Sequence, residues 1–143
     1  MTPKEMADIH HAAFTHGRAW SADEFAQLLA NTHTHCLSCE GGFAVVQVIS
    51  PEVELLTIAV HPDHQRNGLG RALLADLSQL AARLGCDRVF LEVDERNSPA
   101  HALYAAAGFA SNGSRSNYYR HADGSQSAAI LMSCDLTAKQ TGK

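Results

Sequence analysis

The sequence predicts a single α/β domain with helices on both faces of a mixed central sheet. Three observations predict it. The apolar period changes from helical to strand-like after about Ala30 and returns to helical at Gly68. A glycine-bearing loop, "HPDHQRNGLG" from His61 to Gly70, joins a strand-like run rich in branched residues to a long amphipathic stretch. "RVFLEV", from Arg88 to Val93, is short and nearly continuously apolar, as strands buried on both faces are.

The elements follow in order. Met6, Ile9, Ala13 and Phe14 fall at helical spacing, so a first helix is expected between Pro3 and Gly17. In "WSADEF", Ser21 and Glu24 form a capping box, with Trp20 and Phe25 as its hydrophobic staple. That second helix runs to about Ala30. "HTHCLSCEGGFAVVQVI" reads as strand, Gly-Gly turn and strand, "SPE" as a turn, and "VELLTIAV" as a third strand. From Gly68, Leu69, Ala72, Leu73, Leu77, Leu80, Ala81 and Leu84 line one face of a long helix, and Gly85 stops it. After "RVFLEV", Ser98 caps and Pro99 opens a short helix that Gly108 ends. Asn112–Gly113 and Asp123–Gly124 read as turns between strand-like runs, Tyr118–Tyr119 and "SAAILMSCDL". Residues 1–136 are read as one domain and 137–143 as a frayed tail.

Composition narrows the function classes. The chain has 143 residues and a net charge of −4, with no basic run, so no nucleic-acid partner is expected. The opening "MTPKEMADIHHAAF" has no apolar core of a signal peptide, and no stretch approaches the roughly 18 apolar residues of a membrane span. A cytoplasmic protein, monomeric or weakly dimeric and without a membrane partner, is the expectation. The four cysteines, Cys36, Cys39, Cys86 and Cys134, are read as reduced thiols.

The loop before the long helix suits an anion. Gly68 and Gly70 have no Cβ, which permits positive φ and close approach of a ligand to the backbone. The helix behind them begins with unpaired N–H groups and the positive end of its dipole, where a phosphate or pyrophosphate fits, and Arg66 and Arg71 add charge. A P-loop string is absent. A dinucleotide turn would need a third glycine where Leu73 stands, and a tighter loop than His61 to Asn67. A purely structural strand-to-helix loop is the competing reading.

Gln65-x-x-Gly68-x-Gly70 resembles the acyl-coenzyme A pyrophosphate loop of the GNAT N-acetyltransferases. "LLTIAVHPDHQRNGLGRALL" and "LEVDERNSPAHALYAAAGF" are similar to that family's two conserved blocks. "WSADEF" and "NYYR…DG…AAILM" resemble its RimI-type branch, the ribosomal-protein alanine N-acetyltransferases. The resemblance runs from Trp20 to Leu136 and is strongest from Leu55 to Phe109. It implies an α+β, GNAT-like fold in which two parallel strands, assigned to "LLTIAV" and "VFLEV", splay apart to admit acetyl-CoA. It further implies that the backbone of Ile58, Ala59 and Val60 pairs with the pantetheine arm. Gln65, Arg66, Asn67, Gly68, Leu69, Gly70 and Arg71 would hold the pyrophosphate, and Asn97 would bind near the reactive end. No metal is expected.

Transfer of an acetyl group to an amine requires loss of a proton from the amine, stabilisation of an oxyanion and protonation of a thiolate. Alternation along "VFLEV" puts Phe90, Glu92 and Asp94 on one face. A carboxylate in an apolar strand is costly without a task or a partner, so Glu92 is the candidate base; a salt-bridged strand-end glutamate is the competing reading. Tyr104, in the family's "A-L-Y-x-x-x-G-F" frame, is the candidate acid against the alternative of a core tyrosine. The resemblance places the oxyanion donor at a backbone N–H near Val60. The expected acceptor is a protein N-terminal α-amine, such as that of a small-subunit ribosomal protein. Its pKa is near 7.7–8.0, against about 10.4 for lysine. A small-molecule amine is the alternative acceptor, and a non-catalytic acyl-CoA sensor the alternative of another class.

Other residues attract attention. Cys36 and Cys39 would face opposite sides of a strand, so with His33 and His35 they are not expected to form a zinc site or a redox pair. His10, His11 and His16 are expected on a mostly exposed helix. Tyr118, Tyr119 and Arg120 resemble the family's substrate side, with ordinary strand aromatics as the alternative. RimI-type members often carry an arginine where this chain has Asp94, here expected to open a loop with Glu95.

Overall fold

The computed structural model describes residues 1–14 and 19–136. The described elements are α1 (Pro3–Ala13), α2 (Ala22–Leu29), β1 (Thr34–Cys39), β2 (Gly42–Ile49), β3 (Glu52–Val60), α3 (Leu69–Arg83), β4 (Arg88–Asp94), α4 (Ser98–Ala106), β5 (Ala110–Arg120) and β6 (Gln126–Asp135), with a turn of 3-10 helix at Pro62–His64. The strands form one six-stranded sheet in the order β1-β2-β3-β4-β6-β5. Among the described strands, only β3 and β4 pair in parallel. The expected mixed sheet is observed.

Local signals explain the helices. Capping boxes start both α1 (Thr2 with Glu5) and α2 (Ser21 with Glu24), and the Trp20 and Phe25 rings meet 5.5 Å apart as the predicted staple. α3 stops at Gly85, whose φ of 76° suits a residue without a side chain. α4 is capped one residue earlier than expected: the Asn97 side chain accepts from Ala100 N at 3.3 Å, so Ser98 is the first helical residue. The Asn112–Gly113 pair does not make a turn. It lies inside β5 at a register shift opposite Leu131 and Met132, because the edge strand follows β6 past it. Asp123–Gly124 does lie in the link between β5 and β6.

Two apolar layers cover the sheet. On one face, Leu74, Leu77 and Ala81 of α3 and Tyr104 of α4 pack on Ala44, Val46, Val53, Leu55, Val89, Leu91 and Val93. On the other, Met6 of α1 and Phe25 of α2 pack on Phe43, Val45 and Ala59. β4 is not buried evenly. Val89, Leu91 and Val93 are buried, while Arg88, Phe90 and Glu92 are partly open, because the α1/α2 layer stops short of β4. His10 departs furthest from expectation: it is fully buried rather than exposed. Its Nδ1 accepts from Trp20 N at 3.0 Å, its Nε2 meets Thr57 Oγ1 at 3.1 Å, and its ring contacts Phe14, Trp20 and Phe25. With both nitrogens bonded, burial of the imidazole is tolerated. His16 and the predicted tail lie outside the described residues.

One irregularity in β3 controls the site. In the β2–β3 ladder, Val45 pairs with Thr57 and Val46 with Leu55, so Leu56 is an extra residue. Its effect is visible in the packing. Leu55 joins the α3/α4 layer, Leu56 and Ala59 the α1/α2 layer, and Ile58 packs against the α3/α4 layer again. Pairing of β3 with β4 runs from Glu52–Arg88 to Leu55–Leu91 and stops there, although β3 continues to Val60 and β4 to Asp94. The strands part as expected, and an Arg88–Glu52 ion pair sits at their joined end.

Truncating the fully buried Phe25 to alanine removes the ring that joins α2 to Phe43, His10 and Trp20. It is expected to cost about 3–5 kcal/mol, read as a lower urea midpoint.

Candidate active site

The opening between β3 and β4 presents unpaired backbone. At the end of β3, His61 N–H bonds back to Gly41 O at 2.8 Å, on the β2 side. Alternation therefore turns the N–H and C=O of Val60 and Ile58 toward the opening and those of Ala59 toward Phe43 of β2. Of the three residues expected to pair with a cofactor arm, Ile58 and Val60 offer polar groups and Ala59 does not. Gln65 is bonded to the strand: its Nε2 donates to Val60 O at 2.9 Å and leaves the Val60 N–H free for a ligand.

The loop that follows is built for an anion. Arg66 has φ 70° and Gly68 φ 76°, both left-handed, a backbone form that makes successive N–H groups converge. At Arg66 this conformation is strained by about 1–2 kcal/mol, as for any residue with a Cβ. No side chain caps α3, and its first intrahelical bond is Ala72 N–H to Gly68 O at 3.0 Å. The N–H groups of Leu69, Gly70 and Arg71 are thus without helical partners, at the positive end of a 15-residue helix. Gly70 has a second reason to be glycine: a Cβ there would meet Leu103 of α4 at 3.1 Å. Arg71 lines a cleft of about 410 Å³ between α3 and α4, with Leu74, Ala75, Ser78, Ala106 and Ala107. Asn67 lies in the same loop, and Asn97 caps α4 with its oxygen, which leaves its amide donor available. On α4, His101 Nε2 is buried with no partner among the described residues. Unpaired donors, an orphaned imidazole nitrogen and a cleft beside an arginine fit a phosphorylated, amide-containing cofactor.

The second half of the site lies where β4 leaves β3. Leu91 is the last paired residue, so Glu92 is the first beyond the ladder. Its side chain is 20% exposed and pairs with Arg115 of β5 at 3.2 Å. The salt-bridge alternative is therefore realised, but with a guanidinium that is 57% exposed and displaceable. Tyr119 stands beside Glu92. Burial first, then the charges of Glu92 and Asp94 and the neighbouring Tyr118, push its phenol up to about 12. Tyr104, on α4, is buried; burial and then Tyr119 push its phenol well above the usual value, so it keeps its proton. Tyr119 thus lies near Glu92 on one side and Tyr104 on the other, with Arg115 held at 5.6 Å over the Tyr118 ring.

β5 reaches the site through a second irregularity. Between Arg115–Ala129 and Tyr119–Ser127 it carries extra residues, and Asn117 takes φ 53°. That bulge sets Tyr118 and Tyr119 against the catalytic face. The hairpin is locked by the residue that departs from the RimI-type pattern. Asp94 does not open a loop: it is the last residue of β4, buried, and accepts from Ser127 Oγ at 2.6 Å and Arg96 N at 3.0 Å. His121 Nε2 lies 2.8 Å from Ser127 Oγ and 3.5 Å from Asp94 Oδ2. Arg96 binds Ser125 Oγ and Gln126 O of the same hairpin. Sequence reasoning missed Glu54, Arg115, Ser127 and His121. No local motif marks them, because they meet only through the register of strands far apart in sequence.

The tempting residues stay apart. Cys36 and Cys39 face opposite layers, all four cysteines are free, and no metal-holding group occurs among the described residues. No helix of the described residues is long and apolar enough to cross a membrane.

Comparison with known proteins agrees with this geometry. Residues 4–109 match the model of the acetyltransferase (GNAT) family. The chain is 37% identical over 129 residues to the ribosomal protein bS18-alanine N-acetyltransferase of Escherichia coli K12, covering 87% of each chain. It is 35% identical over 123 residues to the N-alpha-acetyltransferase RimI of Mycobacterium tuberculosis, covering 80% of this chain and 76% of that protein. The crystal structure of the Escherichia coli ribosomal-protein-S18-alanine N-acetyltransferase superposes with a TM-score of 0.80 at 36% identity, over 91% of this chain and 84% of the other.

Ser127→Ala strips the buried Asp94 carboxylate of its shortest hydrogen bond. A loss of about 1–3 kcal/mol in urea denaturation is expected, with Tyr119 more accessible to acrylamide quenching.

Proposed function

We infer the reaction from one premise: the chain belongs to the acetyltransferase (GNAT) family. It is an acetyl-CoA-dependent N-acetyltransferase. The acceptor we propose is the N-terminal α-amine of a ribosomal protein, the class of substrate named for its Escherichia coli relative at 37% identity.

Acetyl-CoA supplies the acetyl group as a thioester. In the proposed mechanism, Ile58 and Val60 pair with the pantetheine arm, and the loop from Gln65 to Arg71 holds the pyrophosphate. Gln65 itself braces Val60. The free amide donor of Asn97 binds near the thioester. Glu92 takes a proton from the acceptor ammonium, directly or through water. The Val60 N–H stabilises the oxyanion, and Tyr104 gives a proton to the departing sulfur. The observation that carries this reading is the first unpaired residue of β4: a carboxylate stands there, at the mouth of the opening and beside a phenol that keeps its proton.

The acceptor side favours a chain end over a small enclosed amine. Its wall is β5, exposed from Ala110 to Tyr118. An α-amine of pKa near 7.7–8.0 also gives up its proton at less cost than a lysine of about 10.4.

With an alanine-terminated peptide and acetyl-CoA, thiol release and a mass gain on the α-amine are expected. Glu92→Gln is expected to lower kcat by about 10²–10⁴-fold, and Tyr104→Phe by a smaller factor, with coenzyme A affinity unchanged by calorimetry. Wild-type turnover in the double variant would remove both residues from the mechanism.

A further inference from the structure

Glu54 has no role in the mechanism above, yet it stands on the same face of the sheet. It pairs in register with Phe90, one alternation before Glu92 on the neighbouring strand. It is partly buried, and among the described residues it has no ion-pair or hydrogen-bond partner of its own: Arg115, whose charge acts on it, is bonded to Glu92. The groups facing it can be named from each neighbouring element. Across β2 stands the uncharged Gln47. From β4 come Glu92 and, one alternation back, Arg88, which is taken by Glu52. From β5 comes Arg115. From α1, His10 is occupied by Thr57. Burial raises the Glu54 carboxyl above its usual range, the Glu92 charge raises it further, and Arg115 partly opposes both.

We propose that Glu54 is a positioning residue of the acceptor site, a second carboxylate that works through Glu92 to attract the cationic amine and to hold the proton it gives up. The proposal rests on Glu92 being the base. Charge balance supports it. Two carboxylates against one guanidinium leave a single negative charge at the mouth of the opening, which one ammonium neutralises. Proton balance supports it as well. Transfer forms the C–N bond and breaks the C–S bond. Over the reaction the ammonium nitrogen gives up two protons: one replaces the proton that Tyr104 gives to the sulfur, and the other goes to solvent. Glu92 alone must receive both in turn. A neighbour that binds a proton readily lets Glu92 return to its charged form before the second arrives.

The test measures kcat and KM for the alanine-terminated peptide from acid to neutral pH in wild type, E54Q, E54D and E92Q, with coenzyme A affinity and Tm of each. E54Q is expected to raise the peptide KM about tenfold, the effect of losing one partner of a partly screened charge, and to change kcat less. The acid limb of kcat/KM should fall from a two-proton to a one-proton dependence, and E54D should recover most of the loss. Stability should move the other way. Because folding raises this carboxyl, its charged form costs stability as pH rises, so E54Q should melt above wild type near neutral pH and converge with it in acid. Wild-type KM and pH profile in E54Q, with E92Q inactive, would overturn the proposal alone. Turnover by E92Q would instead overturn the base assignment beneath it. A lower Tm in E54Q with a matching loss of active protein would reduce Glu54 to a structural residue and also overturn it.

Discussion

The opening that forms the proposed active site exists because two parallel strands stop pairing after four residues. β3 stays with β2, and β4 stays with β6 through Asp94–Ala129, so the sheet divides into two halves joined only between Glu52–Arg88 and Leu55–Leu91. The extra residue Leu56 starts the division, because a bulge bends and twists its strand. Beyond it, the backbone groups of Ile58 and the N–H of Val60 face the opening rather than a neighbouring strand, while Gln65 takes the Val60 carbonyl. Buried peptide groups left unpaired are costly, and a strand-like ligand with its own amides relieves that cost. The same division places Glu92 at the first free position of β4. The binding slot and the proposed base are therefore two consequences of one irregularity.

The rest of the molecule keeps the two halves in relation. α3 carries its free N–H groups to the far end of the slot, and Leu103 of α4 fills the space that Gly70 leaves open. That contact couples the anion loop to the helix carrying Tyr104. On the acceptor side, Asp94 ties β4 to the β5–β6 hairpin through Ser127 and His121. The hairpin cannot drift from Glu92 without breaking buried hydrogen bonds, so the Tyr119 phenol stays against the carboxylate.

Much of this was legible in the sequence, for reasons that differ by residue. The helices announced themselves through caps and period, and Glu92 through its parity with Phe90 in an apolar strand. The bulge was hidden, because in "LLTI" every candidate position is apolar or branched and a slip in alternation leaves no trace. The splay was expected from family resemblance alone. Asn112–Gly113 misled because turn propensity is local, whereas strand pairing with β6 overrides it. His10 misled because a histidine on an amphipathic helix reads as polar until Trp20 N–H and Thr57 Oγ1 supply its partners. Gly70 was marked for ligand approach, and the close packing of Leu103 beside it could not be read from the sequence.

The ion pair between Glu92 and Arg115 looks at first like evidence against a base. Its energetics point the other way. The guanidinium is more than half exposed, and an exposed pair is worth roughly 0–1 kcal/mol. An incoming ammonium that pairs with Glu92 while Arg115 swings to solvent loses little by the exchange. Until then Arg115 stays on Glu92 and over the Tyr118 ring. A weakly held cation beside the proposed base suits the proposed reaction, in which the acceptor amine arrives as a cation.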